Sequence, residues 1–277
     1  MGCLRKIRNA AFAAAVAGSL IAITPAFGQV VSSLGDGVYR FDASNEARAR
    51  ALPSMSFSDP AVRDRTSEPI AASKVSPVFG RDDQGRVTVR IDIEPGTSLY
   101  GTGEVPGALL RNGRVNVNWN TDAYGYGIDS PSLYQSHPWV LAVRADGSCF
   151  GVLADTTYRS TFDLRDGIFI TAEGPEFPLI VIDLPHPELV VRRLSDFVGR
   201  MPMPPRWALG YHQCRYSYYP DSRVREIAAE FRKREIPCDV IWMDIDYMDG
   251  YRCFTFSPKD FPDPAKLNAD LHAQGYK

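Results

Sequence analysis

Short runs of alternating apolar and polar residues dominate the middle of the chain. Val87, Val89, Ile91 and Ile93 alternate with Thr88, Arg90 and Asp92, the period of a strand with one face in a core and one in water. Trp139, Leu141 and Val143 repeat the pattern, and Ala145-Asp146-Gly147-Ser148 turns the chain into an apolar run at 149–153, which predicts a hairpin. A second Asp-Gly pair, Asp166-Gly167, separates strand-like segments at 160–164 and 168–171, and 179–182 adds a further apolar run. Many short strands, polar turns and few helices predict an antiparallel β-sandwich. Residues 29 to about 80 are polar and weakly patterned. Residues 43–51 suit a helix, whereas Pro53, Pro60, Pro69 and Pro77 predict extended edge segments and loops.

The period changes after the proline-rich run Met201-Pro202-Met203-Pro204-Pro205. Residues 207–211 form a short apolar run and a polar loop follows. Val224, Ile227, Ala228 and Phe231 then fall at i, i+3, i+4 and i+7, an amphipathic helix opened by Asp221 or Ser222 and closed by Pro237. Residues 238–243 fit a strand buried on both faces. Pro264 after Asp263 opens another helix, with Leu267 and Leu271 on one face and Gly275 near its end. Strand, helix, strand, excursion and helix make two βα units of a parallel α/β domain.

The N-terminus follows neither pattern. Arg5, Lys6 and Arg8 precede a 14-residue uncharged stretch at 10–23, and Ala26-Phe27-Gly28 places small residues where a signal peptidase reads. Residues 1–28 are therefore expected to be a cleaved secretory signal, with the protein secreted or periplasmic. Pro25 and Gln29 interrupt the apolar run before a comfortable spanning length, which argues against a retained membrane anchor. Cys3 precedes the apolar region, so it is no lipid-attachment site. Export permits disulfides among Cys149, Cys214, Cys238 and Cys253. Free, buried cysteines are the expectation, with one disulfide left open.

Composition narrows the function. The chain has 44% hydrophobic and 23% charged residues, a globular balance. With 31 Lys+Arg against 33 Asp+Glu it lacks the basic excess of a general nucleic-acid binder. A closed (β/α)₈ barrel takes about 250 residues, so 277 residues cannot hold one beside a sandwich. The expected division is a signal at 1–28, a sandwich at 29–200, and an incomplete barrel at 201–277.

Several chemical motifs fail on inspection. Gly101-Thr102-Gly103-Glu104 is no dinucleotide fingerprint, because Pro106 occupies the third glycine position; it reads as a tight turn. The acidic run from Asp244 to Gly250 resembles a calcium loop with its spacing one residue out, and Thr255 stands where the closing Glu belongs. Asp244-Ile245-Asp246 has the Asp-x-Asp form of a metal-dependent glycosyltransferase, without a nucleotide-binding pattern beside it. No C-x₂-C element supports zinc, and His212-Gln213-Cys214 supplies only two soft ligands. No cofactor is expected. What survives is Asp244, following Val240-Ile241-Trp242-Met243 at the C-terminal end of the predicted strand, where parallel α/β folds bind ligands. A carboxylate there can accept two sugar hydroxyls at once. Spacing leaves open a second reading, an ion pair with Arg215 or Arg252.

The segment Leu209-Gly210-Tyr211-His212-Gln213-Cys214-Arg215-Tyr216-Ser217-Tyr218, followed by Ile236-Pro237-Cys238-Asp239-Val240-Ile241-Trp242-Met243-Asp244-Ile245-Asp246-Tyr247-Met248, resembles the start of the catalytic barrel in glycoside hydrolase family 31. Phe254-Thr255-Phe256 and Phe261-Pro262-Asp263-Pro264 continue the match. Tyr100-Gly101-Thr102-Gly103-Glu104, Trp119-Asn120-Thr121-Asp122 and Leu133-Tyr134-Gln135-Ser136 look like that family's N-terminal sandwich. The resemblance covers residues 80–277. It implies a galactose-mutarotase-like sandwich followed by the first part of a TIM barrel.

Family members are exo-acting retaining α-glycosidases, mostly α-glucosidases, with α-xylosidases among them. The resemblance places Asp244, with Ile245 beside it, in the pocket for the non-reducing-end sugar, and Asp122 on the acceptor side. The Asp-Ile-Asp-Tyr-Met form leans toward α-glucosides. Ser257 departs from the family, where many relatives carry an acidic residue after Phe-Thr-Phe. The family's nucleophile, an Asp followed closely by Asn-Glu on the fourth barrel strand, and its later acid/base are expected beyond residue 277. The expectation is an α-glucosidase-type segment, inactive alone, acting on an α-glucoside or oligosaccharide. The alternative is a non-catalytic carbohydrate-binding or interaction module.

Overall fold

The structure, a computed structural model, describes residues 29–51 and 73–277. The predicted signal and the loops around Pro53, Pro60 and Pro69 lie outside the described residues. The chain divides into two compact units, Met1–Arg200 and Met201–Lys277.

The first unit is a sandwich of antiparallel strands. Its larger sheet contains β1 (Val30–Gly35), β2 (Val38–Asp42), β5 (Ser98–Gly101), β7 (Trp139–Val143), β8 (Cys149–Ala154) and β11 (Leu179–Leu184), in the order β1-β2-β11-β8-β7-β5. The smaller contains β3 (Val78–Arg81), β4 (Val87–Ile91), β6 (Val115–Asn118), β9 (Ser160–Asp163) and β10 (Ile168–Ala172), in the order β3-β4-β10-β9-β6. Both Asp-Gly turns join antiparallel neighbours, β7 to β8 and β9 to β10. At the first, Gly147 takes φ +86°, a left-handed value that glycine adopts without steric cost. Val89, Phe162 and Ile170 meet Val140, Val152, Leu179 and Val181 in the inter-sheet core.

Three sequence expectations change here. The weakly patterned residues 30–42 form regular structure: β1 and β2 make a hairpin, β2 pairs with β11, and Tyr39 and Phe41 enter the core. Of the proposed helix at 43–51, α1 (Asn45–Arg50) forms behind Ser44, whose hydroxyl accepts from the Ala47 amide. In β7 the inter-sheet core takes the face opposite to the one that the alternation predicts. Val140 and Ala142 point into the inter-sheet core, while Trp139, Leu141 and Val143 pack in a second cluster outside the sheet. That second cluster exists because α2 (Pro187–Val198) covers the outer face with Val190, Leu194 and Phe197. With both faces covered, β8 is buried along its whole length.

The second unit holds a two-stranded parallel sheet, β12 (His212–Gln213) and β13 (Val240–Ile241), with His212 opposite Val240 and Gln213 opposite Ile241. The helices α3 (Asp221–Lys233) and α4 (Pro264–Ala273) pack on it through Val224, Ala228, Leu267 and Leu271. Asp263 caps α4 by accepting from the Lys266 amide at 2.8 Å. Tyr276 is fully buried; its hydroxyl donates to the Ala228 carbonyl at 2.8 Å and its ring lies 3.8 Å beneath the Arg232 guanidinium carbon. Burial raises the Tyr276 phenol pKa, against the opposing effect of Arg232.

Two predicted strands prove shorter. Residues 207–211 do not form one: Arg206–Leu209 is a 3₁₀ turn, and the strand starts at His212. The run at 238–243 contributes only Val240 and Ile241, and Trp242 is 54% exposed. The four cysteines are free, but only Cys149 and Cys238 are buried; Cys214 and Cys253 are exposed, contrary to the expectation of core positions. Burial raises both buried thiol pKa values. Among the described residues, no helix is long and apolar enough to cross a membrane.

Candidate functional site

The barrel unit's site grows from the end of β13. Val240 and Ile241 are held by apolar burial on their strand. Beyond them the chain leaves the sheet and Asp244 takes φ +61°, a left-handed conformation that Asp tolerates better than most non-glycine residues. The Ser217 hydroxyl donates to the Met243 carbonyl at 3.0 Å and fixes the approach. The excursion that follows is also tied down. The Ser257 amide donates to the Tyr247 carbonyl at 2.8 Å, and the Tyr247 and Phe256 rings lie 5.0 Å apart.

A cleft of about 700 Å³ results, lined by Trp242, Met243, Asp244, Tyr247, Phe254 and Phe256, with Cys214 and Ile241. The Trp242 indole N–H donates to His212 Nδ1 at 3.3 Å, which orients the aromatic wall next to Asp244. Among the described residues, the half-buried Asp244 carboxylate has no hydrogen-bond or ion-pair partner. The two arginines that could have neutralised it are engaged elsewhere. Arg252 pairs with Asp249, and Arg215 lies 5.9 Å from the Tyr218 ring centroid. Asp246 instead accepts the Tyr251 hydroxyl at 3.0 Å, a bond that raises the Tyr251 pKa.

This arrangement can bind a polyol. Both oxygens of Asp244 are free to accept hydroxyl protons, and the neighbouring rings offer an apolar surface. Retaining glycoside chemistry takes two carboxyl groups about 5–5.5 Å apart; among the described residues, Asp244 is the only carboxylate lining the cleft. Among the described residues, no group of three or more His, Cys, Asp or Glu side chains stands together as a metal site.

Of the other predicted site residues, Ile245 shares the Asp244 loop and is 40% exposed, but does not line the cleft. Asp122 belongs to the sandwich unit, exposed on the loop between β6 and β7. Its neighbours are pinned: the Thr121 amide donates to the Leu133 carbonyl at 2.8 Å, and the Tyr126 hydroxyl to the Thr121 carbonyl at 2.9 Å. Tyr126 raises the pKa of Tyr134, with smaller contributions from Asp122 and Glu104. Asp244 and Ile245 thus share one loop, and Asp122 stands on the other unit. Nothing in the sequence analysis marks the aromatic wall, although Trp242, Tyr247, Phe254 and Phe256 are a dense aromatic run for 15 residues that also carry four charges.

Comparison with known proteins bears on both units. Residues 201–277 match the glycosyl hydrolases family 31 TIM-barrel domain, and residues 79–163 the glycosyl hydrolase 31 N-terminal galactose mutarotase-like domain. Alpha-glucosidase 2 of Bacillus thermoamyloliquefaciens is 43% identical over 198 residues, which cover 70% of this chain and 25% of that protein. The crystal structure of a family 31 alpha-glucosidase from Bacteroides thetaiotaomicron is 55% identical, with a TM-score of 0.64, over 68% of this chain and 32% of that one. A Flavobacterium johnsoniae dextranase shares the fold at 22% identity, with a TM-score of 0.75 over 90% of this chain and 35% of that one. The chain therefore spans about a quarter of the length of the curated relative and a third of these structures. Two domain matches in order, on a sandwich and on the beginning of a parallel βα domain, carry one conclusion: the chain belongs to glycosyl hydrolase family 31.

Proposed function

We propose that residues 201–277 supply the sugar-gripping part of an exo-acting, retaining α-glucosidase site, with Asp244 accepting two hydroxyls of the non-reducing-end sugar. The observation that carries this reading is the unpaired Asp244 carboxylate in an aromatic cleft, with both candidate arginines turned to other partners. Asp122 contributes on the acceptor side, Ile245 acts from the same loop as Asp244 although it does not line the cleft, and the substrate is an α-glucoside or α-linked oligosaccharide. Nucleophile and acid/base come from elsewhere in the family's barrel, so the 277-residue chain expressed by itself binds without hydrolysing. A self-contained sandwich core favours the second reading, a non-catalytic carbohydrate-binding module.

The test grafts residues 201–277 in place of the matching segment of the Bacteroides thetaiotaomicron alpha-glucosidase and follows p-nitrophenyl α-glucoside. The graft should be active, and Asp244→Asn should lower kcat/KM by about tenfold or more for each lost charged hydrogen bond, each worth about 1.5–3 kcal/mol. Asp246→Asn, which loses only the Tyr251 contact, should cost far less. Unchanged kinetics for Asp244→Asn with a lowered melting temperature would assign the acidic cluster to structure. Hydrolysis by the purified 277-residue chain alone would also defeat the proposal.

A further inference from the structure

A second cleft, of about 710 Å³, opens within the sandwich unit, and the aromatic rings of Trp119, Trp139 and Tyr158 line it. Two of these rings rest on glycine. A Cβ on Gly174 would stand 2.5–2.9 Å from three ring carbons of Tyr158, and one on Gly151 would overlap the six-membered ring of Trp139. Each ring therefore lies on bare backbone, which fixes its orientation. Trp119 is 50% and Tyr158 42% exposed, whereas Trp139 is buried. The first two are accessible, and Trp139 lines the cleft from a buried position.

Among the described residues, no Asp, Glu, Lys or Arg lines the cleft; its polar side chains are Asn118, Asn120, Ser136, Thr156 and Thr157, with His137 beside them. The Ser136 hydroxyl donates to Asn120 Oδ1 at 2.6 Å. Asn118 is 4% exposed, yet neither its Oδ1 nor its Nδ2 has a protein partner. Ser160, directly opposite on β9, leaves its Oγ unpaired as well. Of the two, only Asn118 lines the cleft; buried amides are almost always satisfied by protein or ordered water, so its amide is the polar group at the cleft with hydrogen-bonding capacity left over.

We propose that this cleft binds a neutral pyranose unit, as a non-catalytic sugar site in the sandwich. A cation would need a carboxylate, and a phosphate or carboxylate the paired donors of an arginine, neither of which lines the cleft. A sugar ring sets its C–H face against an aromatic plane and its hydroxyls against amides, the two surfaces that this cleft presents. The volume falls in the range of small-molecule sites. Nothing in this inference depends on the role of Asp244.

Calorimetric titration of maltose into the 277-residue chain carrying Asp244→Asn tests it without a contribution from the barrel-unit cleft. Saturable binding is expected. Adding Trp119→Ala should weaken it about tenfold, the worth of one aromatic contact, with an unchanged melting temperature because the indole is half exposed. Trp119→Phe should restore most of the affinity. Absence of saturable binding, or equal affinity after both Trp119→Ala and Tyr158→Ala, would overturn the proposal. So would tight binding of an anilinonaphthalene sulfonate dye at this cleft that maltose fails to displace, since it marks a seat for an apolar partner. Failure here leaves the Asp244 kinetics untouched, and failure of those kinetics leaves this titration interpretable.

Discussion

The two units both expose apolar rings but differ in how much core each closes. In the sandwich, Phe162, Ile170, Leu179 and Val181 have no measurable exposure, and a second layer under α2 buries Ile180, Ile182 and Val190 as completely. In the barrel unit, Val224, Leu267 and Tyr276 are equally buried, but Trp242, Leu209 and Phe254 are 54%, 71% and 102% exposed. Connection length explains the contrast. Antiparallel neighbours are joined by turns of a few residues, so a sandwich completes its core from nearby sequence. Each parallel strand needs a crossover, here the whole of α3 between β12 and β13, so few strands form per length of chain. Stability is concentrated where the chain is locally closed. In the barrel unit, apolar rings and an unpaired carboxylate instead line an open cleft.

Large-to-small changes give the sharpest test of that contrast. Phe162→Ala removes a fully buried ring from between the sheets and should cost about 3–5 kcal/mol, enough to unfold a marginal domain. Trp242→Ala removes a larger but half-exposed side chain and should cost less than about 1 kcal/mol. Urea unfolding followed by circular dichroism measures both. Similar losses at the two positions would mean that Trp242 is covered in solution.

Glycine replacements sharpen it further. Gly101 takes φ +108°, and a Cβ there would stand 2.5 Å from the Trp139 carbonyl oxygen, on the neighbouring strand. Neither obstacle can move without disturbing the β5–β7 ladder, so Gly101→Ala should cost about 1–3 kcal/mol. In the barrel unit a Cβ on Gly210 would collide with the Asp239 carboxylate, but that residue's side chain can turn away and φ is ordinary. Gly210→Ala should cost less than about 1 kcal/mol. Equal shifts in melting temperature would show that Asp239 is fixed in place.

The sequence was most legible where local pattern and tertiary burial agree. Both Asp-Gly hairpins and the buried face of α3 follow directly from turn chemistry and helical spacing. Alternation alone failed in β7, because a strand covered on both faces carries apolar residues at every position and loses its period. The cover itself was readable. Val190, Leu194 and Phe197 stand at i, i+4 and i+7 behind a proline at the first helical position, the same signal that revealed α3. β1 and β2 were passed over because Ser32, Ser33 and Arg40 dilute a hairpin whose partner, β11, lies more than a hundred residues away. Asp244 could be placed at a strand end from sequence. Its lack of a partner could not, since only the fold reveals that Arg252 turns to Asp249.

Acid titration offers the smallest effect and compares one carboxylate from each unit. Arg165 holds Asp163 below the usual carboxylate range by hydrogen bonding, with Nε at 2.9 Å and Nη2 at 2.5 Å, while partial burial opposes the shift. Lys266, then Arg225, lowers Asp270 in the same way. A depressed folded-state pKa stabilises fully above the unfolded value of about 3.9, and that stabilisation disappears as pH falls through the lower folded value. Both units should therefore lose stability between about pH 5 and pH 2. The Asp163 side chain is only 25% exposed and sits at the β9–β10 turn, so Asp163→Asn should cost about 0.5–1 kcal/mol at pH 7 and flatten the acid limb. The Asp270 pair joins α3 to α4 from a more open position, 35% exposed, where water and salt screen it. Asp270→Asn should shift the melting temperature less at pH 7 and leave the acid slope nearly unchanged. Melting curves from pH 7 to pH 2.5 decide the order. If Asp270→Asn flattens the slope more than Asp163→Asn does, the barrel unit depends on its helix-to-helix ion pairs more than the exposed geometry implies, and the contrast between a closed sandwich and an open βα unit weakens accordingly.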